Sequence, residues 1–368
     1  MIKEPLLSIC IPTYNRSKAL DSTLQQLSEQ IDGIADSVEI CISDNCSPDD
    51  TPEVLSKWER RLPMVRKRTE KNLGYDINAM RVAQLASGRY LWYIGDDDEM
   101  AKGTVKRLVT DIKSTDKSLG AIFVNQFVNW KKIMRFKYTD FKVFQTKAMD
   151  FPLNISFGGS ICLNRAIAQG VIRENLKEGE GKILKKGYEE PILHGFIHSY
   201  LFMECMKRAK YIGVEPSFGM NFRARGELTT YKNKLRLELI FVKYYLEIRK
   251  YYPWFKDTDI YHFTQYWKKL LTAGVVPLEQ PDLLPIYKSL YSAYVFIMRK
   301  EHRHFQLFLT ELFEAFRSSF LGKPVLVPLH DLMRSMLRLP MSKKPDTNPI
   351  VEKDIQYTIS AIDKLLSQ

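Results

Sequence analysis

Short apolar runs alternate with helical stretches along the first third of the chain, and this alternation restricts the fold more than any other feature. The predicted helices carry start signals and a periodic apolar face, as at 17–27, 51–62 and 76–85. Asp76, for example, is expected to cap the helix at 76–85. Strands separated by helices of this length form a parallel sheet with helices on both faces. The apolar runs that we predict as strands are 6–11, 38–42, 65–69, 90–94 and 121–124.

Polar side chains follow three of these predicted strands. The segments are Pro-Thr-Tyr-Asn-Arg at 12–16, Ser-Asp-Asn at 43–45 and Gly-Asp-Asp-Asp at 95–98. In open sheets of this kind, binding sites lie beyond the carboxyl ends of the strands. Solvated turns explain a convergence of three such segments poorly. We therefore predict one functional site at this edge of the sheet.

Three consecutive aspartates, Asp96, Asp97 and Asp98, end the fourth predicted strand. Like charges this close destabilise a fold unless solvent or a cation screens them. Carboxylate oxygens are the hard ligands that Mg²⁺ and Mn²⁺ prefer. Alone, the triplet fits a solvated acidic turn as well as a metal site. Beside the other two strand ends, it favours a metal held next to a substrate phosphate.

Four segments together resemble the family 2 glycosyltransferases of GT-A fold. They are Ser8–Arg16, Ile42–Ser47, Asn72–Gly74 with Asn78, and the aspartate triplet. Their order and spacing match the family from residue 6 to about residue 125. The variant with three aspartates after a glycine is similar to the abequosyltransferase-like branch, which decorates bacterial surface polysaccharides.

The resemblance implies an α/β chain with a GT-A type nucleotide-diphospho-sugar transferase fold, a mostly parallel sheet flanked by helices. It also implies a hexosyl- or deoxyhexosyltransferase that moves a sugar from a nucleotide-diphosphate sugar to a glycan or lipid-linked glycan. Such transfer belongs to O-antigen or capsule synthesis, and we expect it to be metal-dependent and inverting. The donor base, the sugar and the acceptor stay open, because pocket shape sets them.

The family's motifs assign roles to matching positions of this chain. The wall that receives the nucleotide would include Tyr14, which is able to stack on the base. Asp97 and Asp98 would hold the divalent metal, Mn²⁺ or Mg²⁺, and the match does not settle which of them binds directly. The resemblance implies nucleotide-sugar binding by Pro12, Thr13, Tyr14, Arg16, Asp44, Asn72, Gly74, Asp96 and Asp97.

Two arginines, Arg223 and Arg225, are candidates to reach the same diphosphate from a mobile loop. A guanidinium binds phosphate oxygens in a bidentate manner, which makes arginine well suited to this task. An ordinary surface loop is an equally good interpretation.

An inverting transfer needs a base that takes the proton of the acceptor hydroxyl. Most relatives place a Glu-Asp pair at the start of a helix in the acceptor half, and this chain departs from that pattern. His198 is nearest the expected position and has a suitable intrinsic pKa. Glu190, in Glu-Glu-Pro at 189–191, is the second candidate. A structural histidine is the alternative interpretation of His198.

The α/β alternation stops near residue 228, which predicts two domains. We expect a GT-A domain at 1–227, with a nucleotide-sugar half at 1–125 and an acceptor half at 126–227. Helical stretches punctuated by prolines follow, so 228–368 is expected to be a helical C-terminal domain.

The formal net charge of +12 calls for an anionic partner. An anionic membrane surface or a diphosphate-linked acceptor fits better than nucleic acid, because no nucleic-acid module is recognisable. Leucine and methionine recur at helical spacing within 329–337, with basic residues off this stripe. This segment is either a basic amphipathic helix that contacts the membrane or a helix that packs on its own domain.

The five cysteines are scattered, which is typical of a reducing compartment. The sequence shows neither a signal peptide nor an apolar run long enough to span a membrane. We expect a cytoplasmic protein, peripheral on the inner face of the cytoplasmic membrane if the basic helix contacts lipid.

Three other classes of protein were weighed. A nicotinamide-dependent oxidoreductase would carry Gly-x-Gly-x-x-Gly after the first strand, where this chain has Pro-Thr-Tyr-Asn-Arg. A sugar nucleotidyltransferase usually opens with a glycine-rich basic phosphate loop, which is absent here. A non-catalytic glycan-binding or scaffold protein of GT-A fold fits the missing Glu-Asp pair but not the intact aspartate triplet.

Overall fold

A computed structural model of the chain divides into two compact units, Met1–Ala224 and Arg225–Gln368. The structure describes residues 4–115, 118–128, 131–132, 137, 139–148, 155, 158–178, 183–185, 195–222, 231–252, 283–300, 311, 314, 326 and 349–367. The assignment of a nucleotide-sugar half and an acceptor half to the first unit stays a prediction.

A mixed sheet forms the centre of the first unit. Its spatial order in the described residues is β3-β2-β1-β4-β9-β6-β12-β5, with β7 on β6 and β8 on β12. The strands are β1 (Leu7–Thr13), β2 (Val38–Asp44), β3 (Met64–Arg68), β4 (Tyr90–Tyr93), β5 (Glu99–Met100), β6 (Leu119–Val128), β7 (Lys131–Lys132), β8 (Lys142–Gln145), β9 (Ile161–Asn164), β10 (Leu176–Glu178), β11 (Ile183–Lys185) and β12 (Tyr211–Phe222). Strands β10 and β11 pair separately as an antiparallel ladder.

Helices cover both faces of this sheet. Leu7, Ile9 and Ile11 of β1 pack in a core with α1, α2 and α4. The Cys10 thiol points the other way and lies 3.9 Å from the Val82 carbonyl of α3. Helix α3 also packs on α5 and α6, which form the second layer with it. The helices are α1 (Ser17–Gln30), α2 (Thr51–Trp58), α3 (Tyr75–Leu85), α4 (Thr104–Ser114), α5 (Arg165–Asn175) and α6 (Ile197–Arg208).

Four of the five predicted strands form the parallel half of the sheet, since β3, β2, β1 and β4 run parallel. The fifth, predicted at 121–124, is part of β6 and does not pair with them. The expectation that the first strand ends before Pro12 is wrong, because β1 continues to Thr13. Along a strand, the backbone N–H and C=O groups of successive residues point alternately to the two neighbouring strands. Cys10 accepts from the Ile94 amide on the β4 side, and Thr13 accepts from the Asn45 amide on the β2 side. Pro12 therefore faces the β4 side, where β4 has already ended and a strand donor is not needed.

Strand β9 lies between β4 and β6 and is antiparallel to both. Beyond it, β6 and β12 are parallel to each other. The sheet is thus mixed and flanked by helices, as the predicted fold class requires.

The described part of the second unit is helical. It contains α7 (Tyr231–Tyr251), α8 (Leu284–Lys300) and α9 (Pro349–Leu366). Leu239, Tyr287, Ile355 and their neighbours form its buried apolar cluster. Among the described residues, no helix is both long enough and apolar enough to cross a membrane. The predicted basic segment at 329–337 lies outside the described residues.

Candidate functional site

The three polar strand ends converge on one cavity of about 610 Å³. It lies at the carboxyl ends of β1 and β4, at the sheet edge that the sequence predicted. The predicted site residues that line it are Pro12, Thr13, Tyr14, Arg16, Asn72, Gly74, Asp96, Asp97, Asp98 and His198. Asn45, Asn78 and Tyr75 also line it, together with backbone at Gly95, Gly158, Gly159 and Gly195.

The side chain of Asp96 joins the ends of β1 and β4. Thr13 donates its hydroxyl hydrogen to Asp96 Oδ2 at 2.7 Å, and Arg16 donates to Asp96 Oδ1 at 3.3 Å. Burial raises the pKa of Asp96, while the Thr13 hydrogen bond and the Arg16 charge oppose the rise. The Thr23 hydroxyl of α1 donates to the Asp96 backbone carbonyl at 3.0 Å, which ties the loop that carries the aspartate triplet to α1.

Asp98 folds back on its own turn. The Gly95 amide donates to Asp98 Oδ2 at 2.7 Å. Burial, with the neighbouring charges of Asp97 and Asp96, raises the pKa of Asp98 to about 6, although the Gly95 hydrogen bond opposes this. The three aspartates therefore have different surroundings, and they do not behave as one solvated acidic turn.

Two carboxylates of the triplet border the space beside Gly95. A Cβ at Gly95 would lie 3.0 Å from Asp98 Oδ2 and 3.2 Å from Asp97 Oδ1. Within the described residues, no group of three or more His, Cys, Asp or Glu side chains is arranged around a metal position. Mg²⁺ is usually held by one or two carboxylates together with water and substrate phosphates. The pair Asp97 and Asp98 fits that kind of ligand set.

Asp44 does not line the cavity. It is 1% exposed at the end of β2, and its carboxylate accepts from Arg68 at 2.5 Å and from the Ser47 amide at 2.9 Å. Asp44 and Arg68 are direct register partners in the β2–β3 ladder. Arg68 was not among the predicted site residues, although its position at the end of the neighbouring predicted strand was a signal in the sequence.

An amide network shapes the loop that carries Asn72 and Gly74. Asn45 donates to Asn72 Oδ1 at 2.8 Å and accepts from the Leu73 amide at 2.9 Å. Asn72 Oδ1 also accepts from the Gly74 amide at 2.9 Å. Gly74 has a φ of 84°, a backbone conformation in which a residue with a side chain would be strained. This glycine allows the loop to turn directly into α3.

Asn78 of α3 fastens this helix to the strand ends. Its Nδ2 donates to the Ser43 carbonyl at 3.0 Å and to the Thr13 carbonyl at 3.3 Å. The second residue of α3, Asp76, was expected to cap its own helix, and this is wrong. Gly74 precedes α3 without a side-chain cap, and the Asp76 carboxylate accepts instead from Gly195 at 2.7 Å and Ile197 at 3.3 Å.

His198 lies on the first turn of α6, faces the cavity and is 3% exposed. Its Nδ1 is 3.2 Å from the hydroxyl oxygen of Tyr75. The imidazole is also surrounded by the rings of Tyr75, Tyr93 and Phe196, with centroids 6.1, 6.4 and 5.9 Å away. Tyr75, which directly follows Gly74, was not among the predicted site residues.

The structure thus places His198 in the cavity that the aspartate triplet also lines. The other proposed base, Glu190, and the two arginines Arg223 and Arg225 lie outside the described residues. Their roles stay predictions.

Parts of the chain are similar to known glycosyltransferases. Residues 8–175 match the family model described as Glycosyl transferase family 2. Abequosyltransferase RfbV of Salmonella typhimurium is 40% identical over 111 residues, which is 30% of this chain and 33% of that protein. Chondroitin synthase of Escherichia coli is 26% identical over 209 residues, 52% of this chain and 29% of that protein. The matches thus span about a third of the length of these relatives.

Solved structures share the fold. The crystal structure of Staphylococcus aureus TarS 1–349 in complex with UDP superposes with a TM-score of 0.51 at 14% identity, covering 98% of this chain and 90% of that chain. The complex of the same protein with UDP-GlcNAc gives a TM-score of 0.51 at 15% identity. At this identity the likeness concerns the fold alone, and the predicted GT-A fold is confirmed.

Proposed function

We propose that this chain, whose residues 8–175 match the model of glycosyl transferase family 2, transfers a sugar from a nucleotide-diphosphate sugar to a glycan or lipid-linked glycan. The acceptor would belong to a bacterial surface polysaccharide such as O-antigen or capsule. The match to an abequosyltransferase supports this class of product. The observation with most weight is that three polar strand ends meet in one cavity beside His198.

The chain's own residues supply the donor-binding surface. Tyr14, 40% exposed at the cavity, offers a ring for stacking on the base. Asp96, held by Thr13 and Arg16, is oriented to accept hydrogen bonds from ribose or sugar hydroxyls. Asp44 would hold the base or ribose by exchanging Arg68 for the ligand. TarS, a protein of the same fold, has been solved in complex with UDP, which is in keeping with a nucleotide donor.

For the cofactor we propose Mn²⁺ or Mg²⁺, with Asp97 and Asp98 as its ligands. Their oxygens border the space beside Gly95, and two carboxylates leave coordination positions for diphosphate oxygens. When bound, such a cation acts as a Lewis acid for the charge on the leaving diphosphate. Arg16, 2.8 Å from Asp97, adds a positive charge at the same place.

His198 is the proposed base. It would take the proton of the acceptor hydroxyl as that oxygen attacks the anomeric carbon and the sugar–phosphate bond breaks, with inversion. Removing a general base typically slows turnover by about 10²- to 10⁴-fold. His198→Gln should therefore reduce nucleotide release at least about 100-fold while leaving donor affinity nearly unchanged.

We also propose a cytoplasmic location with contact to the inner face of the cytoplasmic membrane. The formal net charge of +12 supports this, as do the basic residues Arg334, Arg338, Lys343 and Lys344, which lie beside and after the apolar stripe at 329–337. The partner would be an anionic membrane surface or a diphosphate-linked acceptor embedded in it.

A thermal-shift screen tests the proposed function. UDP-, GDP-, CDP- and dTDP-sugars are each added with and without Mn²⁺ to the wild type and to Asp98→Ala. A saturating donor should raise the melting temperature by about 2–8 °C, only with metal and not in the variant. Asp36→Asn, which changes an exposed aspartate that does not line the cavity, is the control and should respond like the wild type.

Turnover is then measured with the nucleotide sugar that raises the melting temperature, as release of its nucleoside diphosphate. Release of the nucleoside diphosphate supports an enzyme. Metal-dependent binding without turnover in any acceptor mixture would favour the scaffold alternative. No shift with any nucleotide sugar would refute nucleotide-sugar binding altogether.

A further inference from the structure

We infer that Tyr75 and Asp76 are positioning residues for His198, Asp76 by fixing the start of α6 and Tyr75 by setting the tautomer of the imidazole. This inference rests on the proposed function, in which His198 takes the proton of the acceptor hydroxyl. Neither residue belongs to the motifs by which the sequence predicted the site.

Asp76 anchors the peptide that leads into α6. Its two carboxylate oxygens accept from the Gly195 amide at 2.7 Å and the Ile197 amide at 3.3 Å. Amides at a helix start have no partner within the helix and are normally capped by a nearby side chain. No side chain at the adjoining residue, Phe196, caps α6. A carboxylate from α3 thus fixes the backbone one residue before His198.

Tyr75 contacts the imidazole itself. Its hydroxyl oxygen lies 3.2 Å from Nδ1, and the two rings meet edge to face at 85°. Tyr75 is 46% exposed in the same cavity. Burial, with the charge of Asp76, raises the pKa of the Tyr75 phenol. The phenol keeps its proton at neutral pH, and its oxygen still has a lone pair that can accept a hydrogen bond from Nδ1–H.

The hydrogen bond at Nδ1 determines where the histidine is able to take up a proton. A neutral imidazole carries hydrogen on one nitrogen and a lone pair on the other. If Nδ1–H donates to the Tyr75 oxygen, the lone pair lies on Nε2. The partner of one ring nitrogen commonly sets the role of the other in this way. Tyr75 would then hold His198 in the tautomer in which Nε2 accepts the acceptor's proton.

The same two residues directly follow Asn72–Gly74, which the family resemblance assigns to nucleotide-sugar binding. Asn45 binds Asn72 and Leu73, and Gly74 turns the chain into Tyr75. The predicted nucleotide-binding loop is therefore continuous in sequence with the two residues that contact His198 and the start of α6.

Histidine-selective NMR tests the inference without needing a substrate. The chain has six histidines, so a sample labelled with ¹⁵N only in histidine gives few signals, and His198→Gln assigns the relevant one. Ring ¹⁵N shifts distinguish an Nδ1–H from an Nε2–H tautomer. We expect a single Nδ1–H tautomer in the wild type and a mixture in Tyr75→Phe. Tyr14→Phe removes a hydroxyl from another tyrosine of the same cavity and should leave the His198 signal unchanged.

Turnover separates positioning from a purely structural role. With the nucleotide sugar selected by the thermal-shift screen, Tyr75→Phe should lower kcat for nucleotide release about tenfold, with donor KM unchanged within about twofold. Asp76→Ala should lower kcat similarly, and Asp76→Asn, which keeps one acceptor oxygen, should recover part of it. Melting temperatures of all variants identify any that fail to fold.

An unchanged His198 tautomer in Tyr75→Phe, or an Nε2–H tautomer in the wild type, would overturn the inference. So would an altered tautomer with unchanged kcat, because the orientation of His198 would then not matter to the reaction. Wild-type protein without any turnover would overturn the proposed function and the catalytic part of the inference together. The NMR result would still decide whether Tyr75 holds His198.

Discussion

The guanidinium of Arg16 lies 2.8 Å from the carboxylate of Asp97, so the acidic loop carries a positive partner from the end of β1. The pair is partly open to solvent, with the side chains 47% and 27% exposed. Exposed ion pairs of this kind contribute only about 0–1 kcal/mol to folding. The Arg16–Asp97 contact therefore matters more for what the site binds than for stability.

Replacing Arg16 should separate metal binding from donor binding. In Arg16→Ala, Asp97 loses a competing cation. Mn²⁺ alone should then bind about two- to fivefold more tightly, because an exposed ion pair contributes up to about 1 kcal/mol, which is a factor of about five in affinity. The nucleotide sugar should bind about tenfold more weakly, because a phosphate partner is gone. Isothermal titration with each ligand measures both effects. If Arg16→Ala bound both ligands more tightly, or both more weakly, this account of Arg16 would be contradicted.

Gly95 should not tolerate a side chain. In Gly95→Ala the new Cβ would lie within 3.2 Å of oxygens of Asp97 and Asp98 and push them apart. We expect the metal-dependent part of the donor thermal shift to disappear. Gly170→Ala is the matched control, because its Cβ meets nothing closer than a Glu174 oxygen at 3.8 Å. On a helix this change should add about 0.5–1 kcal/mol of stability. A normal metal response in Gly95→Ala would refute the role of this space.

The pair Asp44 and Arg68 should be strongly coupled in folding. Asp44 is 1% exposed while Arg68 is 44% exposed at the outer end of the pair. Removing Arg68 leaves a buried carboxylate with the Ser47 amide as its remaining described hydrogen-bond donor. Arg68→Ala should cost about 1–3 kcal/mol in the free energy of unfolding, less than for a fully buried pair. Urea denaturation of the two single variants and Asp44→Asn/Arg68→Ala gives the coupling, which should exceed about 0.5 kcal/mol.

Asp111 of α4 should make stability depend on pH. Burial, together with its contact with Glu215, raises the pKa of Asp111 to about 7, against the lowering effect of Arg107. An unfolded aspartate titrates near about 3.9, so between about pH 4 and pH 7 the folded state binds the extra proton. The stabilisation is complete below about pH 4 and is lost as the pH rises through about 7.

Asp111→Asn removes this titration. At pH 8 the variant should melt at a higher temperature than the wild type, and its free energy of unfolding should be higher by on the order of 1–2 kcal/mol. Both differences should shrink towards pH 5. The control is Asp140→Asn, whose carboxylate lies 3.8 Å from Arg107 but is 79% exposed. It should leave the pH dependence unchanged. Parallel stability curves for wild type and Asp111→Asn would contradict the assignment.

Local sequence patterns predicted the parts of the fold that depend on local chemistry. The apolar runs of β1 to β4 and the polar segments after them were sufficient to place Thr13, Asp96 and Asp98 together. A parallel sheet brings such ends to one edge whatever the loops between them do.

Contacts between distant segments were not predictable from local patterns. Asp76 has the sequence context of a cap for its own helix, yet its hydrogen bonds go to Gly195 and Ile197, 119 and 121 residues along the chain. Tyr75 follows a loop glycine and gives no signal of its contact with His198. The register that pairs Asp44 with Arg68 also depends on how β2 and β3 align, which neither strand specifies alone.

The reversed direction of β9 brings the start of this strand, and not its end, to the cavity. Because β9 is antiparallel to β4, its first residues, and not its last, meet the edge where the aspartate triplet lies. Gly158 and Gly159 precede it there and line the cavity, and Trp92 of β4 donates to the Gly159 carbonyl at 2.9 Å. Residues 158 and 159 lie outside the ladder that pairs β9 with β4, so we expect substitutions there to change the cavity wall without changing the register of the sheet.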